Sequence, residues 1–286
     1  MKKFYNVDNV DSETTLGSFL RQQGYSASML KTLRQKGGVT VNGEFRRQIE
    51  PVYPNEKIEV DFPDKSTPLL PNGDLHIPIA YEDENVLIFD KPDNILVHPA
   101  ARGFSDALGN YFVYLHPNTP FRPLGRLDRH TTGLCLIAKN RLTAVKLGKN
   151  LKKEYIALAE GVFTADQGTV SAPLMRVSGS VITRKVDFTL GQPAVTHYQV
   201  LERFRDHTLL SLKLETGRTH QIRVHMAYLG HPLAGDDLYG GHKDIMLRQA
   251  LHCQKIIFFT KNSQTAVLAQ MPPDLGKCIK RLKKEY

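Results

Sequence analysis

The sequence predicts an α+β protein in which a small helical module precedes a larger, sheet-rich domain. Apolar residues recur at helical spacing over residues 16–20 and again over residues 30–33. Asn42-Gly43, the strongest short signal for a β-hairpin, follows the second of these segments. From Ile77 onward, short apolar runs alternate with glycine and proline, which indicates many strands.

The small module is predicted to contain two helices closed by the hairpin. Thr14 or Thr15 can cap the first helix, which should end at Gly24. The second helix should begin near Ser26, with Ser28 as an alternative start, and two glycines stop it. Apolar residues alternate again after the hairpin, so a closing strand should complete the module.

A proline-rich stretch separates the two parts of the chain. Residues 63–74 contain three prolines and almost no periodic pattern. Proline fixes φ and removes a backbone donor, so this stretch is typical of a semi-rigid linker. We therefore expect a first domain over residues 1–62, a linker over residues 63–75 and a second domain over residues 76–286.

Charge and cysteine content limit the classes of protein to consider. The formal net charge of +9 favours a polyanionic partner, although a generically basic soluble protein would show the same charge. The three cysteines form no C-x-x-C pair, which is typical of reduced core thiols in the cytoplasm. The first residues lack the apolar region of a signal peptide, and no run approaches the roughly 18 apolar residues that span a bilayer.

One segment combines a reactive group with a buried strand. In residues 123–140, Arg126 and Arg129 flank Asp128, and an apolar run follows at residues 134–138. A carboxylate on a loop that is held by a buried strand suits a rigidly presented catalytic group. Alternatively, Asp128 only pairs with a neighbouring arginine or caps a turn.

This segment resembles a catalytic signature of the RluA family of pseudouridine synthases. Residues 125–133 read G-R-L-D-R-H-T-T-G, and the family pattern is H-R-L-D-x-x-T-S-G. Gly125 stands where the family usually has histidine, and Thr132 replaces serine but keeps the hydroxyl. The resemblance implies that Asp128 is the catalytic aspartate.

Two further segments resemble motifs of the same family, in the same order along the chain. Tyr155 matches the tyrosine of K-x-Y-x-A, although a lone tyrosine in a strand is more often a core residue. Residues 217–226, G-R-T-H-Q-I-R-V-H-M, match the family almost residue for residue. The resemblance implies that Arg223 pairs with the catalytic aspartate. It also implies that Tyr155 stacks on uracil and that its phenol can move the C5 proton at the end of the reaction. We expect Thr219 to cap the helix that carries Arg223.

Residues 11–62 resemble an S4 RNA-binding module. The resemblance implies RNA contacts from one face of the module, through Lys31, Arg34, Lys36, Arg46 and Arg47. The alternative is a solvated helix face followed by an ordinary turn.

Basic residues of the larger domain are also expected to contact RNA: Lys91, Arg126, Lys153, Arg218 and His220. Lys91 could instead lie on the surface without a ligand. Three nearby histidines invite a zinc hypothesis, but there is no H-E-x-x-H motif and no carboxylate at ligand spacing, so we expect no metal.

The resemblance implies an RNA pseudouridine synthase with a mixed, mostly antiparallel sheet and flanking helices. We expect it to need no cofactor and to act as a cytoplasmic monomer without a membrane partner. Its expected substrate is 23S-type large-subunit ribosomal RNA, with transfer RNA as an alternative. The rival functions are a catalytically inactive RNA-binding factor of ribosome assembly and a nucleoside hydrolase, although the chain lacks an acidic cluster for the metal of such hydrolases.

Overall fold

The computed structural model describes residues 2–8, 10–11, 13–62, 66–148, 150–259 and 263–284. Residues 63–65 of the predicted linker therefore lie outside the described residues. The N-terminal elements are β1 (Lys2–Asn6), α1 (Leu16–Gln22), α2 (Ala27–Lys36), β2 (Val39–Val41), β3 (Glu44–Phe45) and β4 (Lys57–Asp61).

The predicted helices, hairpin and closing strand of this N-terminal part are confirmed. Thr15 caps α1 by accepting a hydrogen bond from the Ser18 amide, and Ser26 caps α2 in the same way. Asn42 and Gly43 have φ values of 51° and 87°, as a tight primed turn between β2 and β3 requires. Strand β1, which the sequence did not predict, pairs with β4 at the edge of an antiparallel sheet in the order β1-β4-β2-β3.

The remaining elements form a sheet with helices around it. They are β5 (Ile79–Glu82), β6 (Val86–Lys91), α3 (Leu108–Leu115), β7 (Thr132–Ala138), α4 (Arg141–Gly148), β8 (Lys152–Glu160), β9 (Gln167–Ser171), β10 (Leu174–Arg176), β11 (Arg184–Val186), β12 (Val195–Arg203), β13 (His207–Leu214), α5 (Gln221–Tyr228), a 3-10 turn (Asp237–Tyr239), β14 (Leu251–Phe259), β15 (Gln264–Leu268) and α6 (Pro273–Lys284).

The large sheet has the order β5-β6-β7-β14-β8-β13-β12-β9, and β15 pairs with β14. Within the described part of the chain, β7 and β14 run parallel and the other paired strands of this sheet run antiparallel. The prediction of a mixed, mostly antiparallel sheet is therefore confirmed. Strands β10 and β11 form a separate antiparallel hairpin.

The centre of the sheet brings distant segments together. Cys253 of β14 lies opposite Gly133 of β7 on one side and opposite Tyr155 of β8 on the other. Gly133 has a φ of 104°, and a Cβ there would collide with the Cys253 backbone. Glycine at this position thus lets the strand that follows the Asp128 loop lie directly against β14.

The N-terminal part packs on α4. Leu142 of α4 is 4% exposed and belongs to the apolar core that α1, α2 and β4 form. The guanidinium of Arg141 lies 5.2 Å from the centre of the Phe62 ring, and the side chain of Lys146 fills the space beside Gly24. The helix that follows β7 therefore carries the N-terminal part on its outer face.

None of the helices in the described residues combines the length and the apolar character that a bilayer crossing needs.

Candidate active site

Asp128 lies on the loop before β7, with 15% of its side chain exposed. The loop is anchored at both ends: the Leu124 amide donates to the Leu136 carbonyl, and the Thr131 amide donates to the Asp128 carbonyl. Two clefts meet at Asp128. One, of about 370 Å³, is lined by Lys153, Tyr155 and Arg218 among others, and the other, of about 770 Å³, by His98, His220, Arg223 and Gln249 among others.

Lys91 has a structural position, and the expectation that it contacts RNA is wrong. Its side chain is fully buried, and its ammonium group donates to the carbonyls of Pro92, Ile95 and Arg129 at 2.9, 2.8 and 3.0 Å. Burial lowers the pKa of Lys91 to about 8, so the group keeps its proton at neutral pH. Because Arg129 follows the aspartate directly, Lys91 tethers the Asp128 loop from below.

The position of the Lys153 side chain depends on the absence of a side chain at Gly125. Gly125 has a φ of 90°, and a Cβ there would lie 2.9 Å from Nζ of Lys153. That Nζ donates to the Leu124 carbonyl at 2.8 Å. The glycine that replaces the usual histidine thus leaves room for a lysine ammonium against the loop backbone. Lys153 lines the cleft, but at least one of its protons is engaged within the protein.

Arg223 is placed by α5 and pairs with two carboxylates. Its Nε and Nη2 each donate to Asp236 at 2.7 Å, and its remaining Nη1 lies 3.5 Å from Oδ2 of Asp128. Burial disfavours the charge on the guanidinium, but the hydrogen bonds and the charge of Asp236, helped by Asp128, outweigh burial and raise the pKa of Arg223. Asp236 therefore holds the Arg223 guanidinium in place, and the remaining nitrogen of that group, Nη1, faces Asp128.

The helix that carries Arg223 begins differently from the prediction. His220, and not Thr219, is the N-cap residue, and its own side chain makes no capping hydrogen bond. Instead, the side-chain oxygen of Gln221 accepts from the Arg218 amide at 3.0 Å. His220 has a φ of 58°, in the left-handed region that few residues other than glycine adopt. This backbone turns the imidazole toward Asp128, whose Oδ2 lies 3.8 Å from Nε2.

Tyr155 lies on β8 and lines the site beside Asp128. It is 6% exposed and, like Asp128, lines both a small, open pocket of about 50 Å³ and the 370 Å³ cleft. Burial, and then the neighbouring Cys253 thiol, raise the pKa of Tyr155 well above its ordinary value. Its phenol is therefore protonated throughout the physiological range. Residues 155–159 of β8 are all buried, so this part of the strand is covered on both faces.

Two residues of the site carry no prediction from the sequence. Asp236 and Tyr239 follow the long motif by about ten residues, in the segment G-D-D-L-Y-G. Asp236 is 1% exposed, and the Tyr239 ring centre lies 5.0 Å from the Arg223 guanidinium. A polar, glycine-flanked segment directly after a predicted catalytic helix is the signal that could have identified them.

The other predicted RNA contacts are distributed over two surfaces. Arg126 and Arg218 are exposed at the rim of the clefts. In the N-terminal part, the helix residues Lys31, Arg34 and Lys36 are exposed, as is Arg47. Arg46 is half-buried, and it donates to Glu56 at 2.6 Å and to the Pro51 carbonyl at 3.1 Å.

A groove of about 650 Å³ lies on the surface of the N-terminal part. Arg34, Arg46 and Arg47 line it, together with Arg21 and Phe45, for which no motif in the sequence indicates a role. Phe45 is 63% exposed, so the groove presents an aromatic ring among its guanidinium groups. Such a combination suits the stacking and phosphate contacts of RNA.

No group of three histidine, cysteine, aspartate or glutamate side chains in the described ranges has the arrangement of a metal site. His225, one of the three nearby histidines, is fully buried, and its ring nitrogens lie 2.8 Å from the Thr196 hydroxyl and 2.9 Å from the Ala172 carbonyl. That histidine therefore has a place in the core.

Comparison with known proteins agrees with this geometry. Residues 85–228 match the RNA pseudouridylate synthase family. The chain is 38% identical to ribosomal large subunit pseudouridine synthase D of Pasteurella multocida, over 92% of this chain and 88% of that protein. It is 36% identical to an RNA pseudouridine synthase of Bacillus subtilis, over 93% of this chain and 98% of that protein.

A solved structure supports the same assignment. Human RNA pseudouridylate synthase domain containing 1 superposes with a TM-score of 0.60 and 27% identity, over 73% of this chain and 90% of the human one. The family match and the identity over nearly the whole chain agree with the three motifs that surround Asp128. The chain therefore belongs to the RNA pseudouridylate synthase family and is a pseudouridine synthase, an isomerase.

Proposed function

We propose that this enzyme converts uridine to pseudouridine in large-subunit ribosomal RNA, with Asp128, Tyr155 and Arg223 as its catalytic residues. The observation that carries the proposal is the position of Asp128, a partly exposed carboxylate where two clefts meet, beside one guanidinium edge. The names of the curated relatives at 34–38% identity support the choice of ribosomal RNA.

The reaction needs a single ionised group at the sugar or the base. The bond from C1′ of ribose to N1 of uracil breaks, the base rotates, and a new bond joins C1′ to C5. The C5 proton is lost and N1 gains one, so the reaction is an isomerisation without net oxidation or reduction. In our proposal Asp128 attacks the sugar or the base, or removes a proton to give a glycal.

The role of Arg223 follows from its two partners. Nη1 of Arg223 lies 3.5 Å from Oδ2 of Asp128 and so places a positive charge beside the carboxylate. Because Asp236 holds the guanidinium through two hydrogen bonds, Arg223 cannot close onto Asp128 in the same bidentate way. Asp128 therefore keeps oxygen lone pairs for the substrate.

Tyr155 would provide the surface for a flipped uracil. Its ring is held by β8 beside Asp128, and stacking on an aromatic ring contributes about 1–3 kcal/mol per base. That gain offsets the cost of a few kcal/mol for extruding a nucleotide. In this proposal Tyr155 stacks on the uracil, and its phenol, protonated in the free enzyme, takes part in moving the C5 proton at the end of the reaction.

The basic surfaces would bind the remainder of the RNA. We propose that residues 1–62 are an S4-like RNA-binding domain, that residues 63–75 are a linker and that residues 76–286 are the catalytic domain. In this arrangement Lys31, Arg34, Lys36, Arg46 and Arg47 contact RNA through the N-terminal part. At the catalytic clefts, the same role falls to Arg126, Lys153, Arg218 and His220.

The residues proposed for catalysis all come from one chain. Asp128, Tyr155 and Arg223 line one small pocket of a single molecule, which supports a site that needs no second copy. We therefore propose a monomer that acts where ribosomal RNA is found, in the cytoplasm.

The test is pseudouridine mapping of ribosomal and transfer RNA from cells with and without the gene and from cells that carry Asp128→Asn. We expect the same ribosomal positions to lose pseudouridine in the deletion and in the variant, while the exposed Asp166→Asn leaves them intact. Normal modification in Asp128→Asn would exclude the proposed role of Asp128. Loss confined to transfer RNA would replace the proposed substrate.

A further inference from the structure

The hydroxyl group of Tyr239 connects the hairpin of β10 and β11 to the imidazole beside Asp128. The backbone N–H of Arg184, the first residue of β11, donates to the Tyr239 oxygen at 3.0 Å. The same oxygen lies 2.8 Å from Nδ1 of His220. Two short contacts of different kinds thus meet at one phenol.

The number of protons at these contacts limits how they can be arranged. A backbone N–H can only donate, so the Tyr239 oxygen accepts there and its own proton is free for another partner. Nδ1 of His220 is the one acceptor within hydrogen-bond distance of that proton among the described residues. If the phenol donates to Nδ1, a neutral imidazole must carry its proton on Nε2.

The opposite side of the imidazole favours the same arrangement. Nε2 lies 3.8 Å from Oδ2 of Asp128, so an N–H there faces a carboxylate, whereas a lone pair there would be repelled by it. Burial lowers the pKa of His220, although Asp128 raises it, and the positive charges of Arg223 and Arg184 also disfavour a second proton. Asp236 is the other carboxylate that faces the ring, and it is already paired with Arg223.

We propose that Tyr239 is a positioning residue that holds His220 as the neutral tautomer with its proton on Nε2, and that this N–H is a hydrogen-bond donor in the active site. The inference rests on the proposed role of Asp128. The Nε2–H group of His220 would stabilise the Asp128 carboxylate together with Nη1 of Arg223. His220 also lines the cleft that would receive the nucleotide. In this tautomer His220 presents no lone pair to the cleft, so it is not the base that removes the C5 proton.

The left-handed backbone of His220 supports the proposal. A non-glycine residue at a φ of 58° carries a strain of order 1–3 kcal/mol, which persists where the surroundings hold it in place. Asparagine, like histidine, adopts this conformation more readily than glutamine, but its amide is too short to reach the position of Nε2. The left-handed backbone at position 220 therefore favours asparagine as a replacement, whereas a donor at the position of Nε2 favours glutamine.

The first experiment reads the tautomer directly and does not depend on activity. The full chain is labelled with 15N-histidine, and the two ring nitrogens of His220 are assigned by their absence from His220→Asn. We expect the wild-type enzyme to show a protonated Nε2 and an unprotonated Nδ1 at neutral pH. Tyr239→Phe should change that pattern toward a mixture of tautomers, and the exposed Tyr228→Phe should not.

Two results of this experiment would overturn the proposal. One is a proton on Nδ1 of His220 in the wild-type enzyme, and the other is an unchanged pattern in Tyr239→Phe. Both can be observed even if the RNA substrate differs from the one proposed above, so failure here is distinguishable from failure of the proposed function.

The second experiment measures turnover with the RNA that pseudouridine mapping identifies. We expect His220→Gln, which retains a donor amide, to keep several-fold more kcat than His220→Asn. Tyr239→Phe should lower kcat by about three- to tenfold, as the loss of one neutral hydrogen bond would, with KM nearly unchanged. If His220→Asn is the more active variant, the backbone conformation is what matters and the donor role is wrong. A KM effect alone in Tyr239→Phe would also overturn the role assigned here.

Discussion

Asp236→Asn tests whether the second carboxylate fixes Arg223. The substitution keeps the size of the side chain and replaces one of its two oxygens by an NH2 group. Both oxygens accept from Arg223 at 2.7 Å, so one N–H of the guanidinium would face a donor and lose its partner. The Asp236 side chain is fully buried and that of Arg223 is 8% exposed, so water cannot replace the lost hydrogen bond.

The expected cost follows from these contacts. One charge-assisted hydrogen bond contributes about 1.5–3 kcal/mol, and removal of one partner of a buried ion pair costs about 3–5 kcal/mol in total. Asp128 remains 3.5 Å from Nη1 as a partial counter-charge, which places the expected loss near the lower value, about 3 kcal/mol. Arg223 is then free to turn toward Asp128, so kcat should also fall by at least tenfold.

Urea unfolding at pH 7 and turnover on the mapped RNA measure the two effects. The matched control is Asp237→Asn, because Asp237 is 66% exposed and pairs with an exposed Lys243. That control should change the unfolding free energy by less than about 1 kcal/mol. An unfolding free energy of Asp236→Asn equal to that of the control would refute the reasoning, as would unchanged kcat in a variant that is measurably less stable.

Two further substitutions test the Asp128 loop and the core beneath it. Gly125→Ala should lower kcat/KM by tenfold or more, because a Cβ at a φ of 90° both strains the loop and displaces Nζ of Lys153. Gly103→Ala is the control: its φ of 91° gives the same strain, but no atom lies within 4 Å of the new Cβ, so this variant should retain activity. Equal turnover of these two variants would show that the lysine contact is irrelevant. Burial, and then the charge of Arg248, lower the pKa of His252 to about 4, so the unfolded chain, with a histidine pKa near 6.5, binds more protons between these two pH values. Stability should therefore fall by up to about 3 kcal/mol as the pH drops from 6.5 to 4, and a wild-type urea midpoint that tracks that of His252→Gln over this range would contradict the assignment.

The local structure of the N-terminal part could be predicted because short-range chemistry determines it. Thr15 and Ser26 cap their helices with their own hydroxyls, and Asn42-Gly43 adopts the positive φ values that its turn needs. Strand β1 was missed because its side chains are exposed or only half-buried, so no apolar alternation marks it. Its existence depends on pairing with β4, which lies more than 50 residues away.

The motifs brought Asp128, Tyr155 and Arg223 together correctly as neighbours of one cavity. The supporting residues could not be predicted because their roles depend on contacts made by the folded chain. Lys91 has the composition of a phosphate contact, yet β6 carries it beneath the loop, where three carbonyls converge on it. The polar segment after α5 could have marked Asp236 as a candidate, but its two hydrogen bonds to Arg223 exist only once that segment is folded against α5.

The packing of the N-terminal part on α4 has a consequence for how RNA would be selected. The basic groove belongs to a unit whose apolar core includes Leu142 of α4, and α4 follows β7, the strand that comes directly after the Asp128 loop. Under the proposed function, an RNA that contacts both the groove and the cleft has to fold so that its target uridine reaches Asp128 while another segment lies in the groove. Under the proposed function, two RNA sites with the same bases around the uridine would then differ as substrates through their folded shape alone.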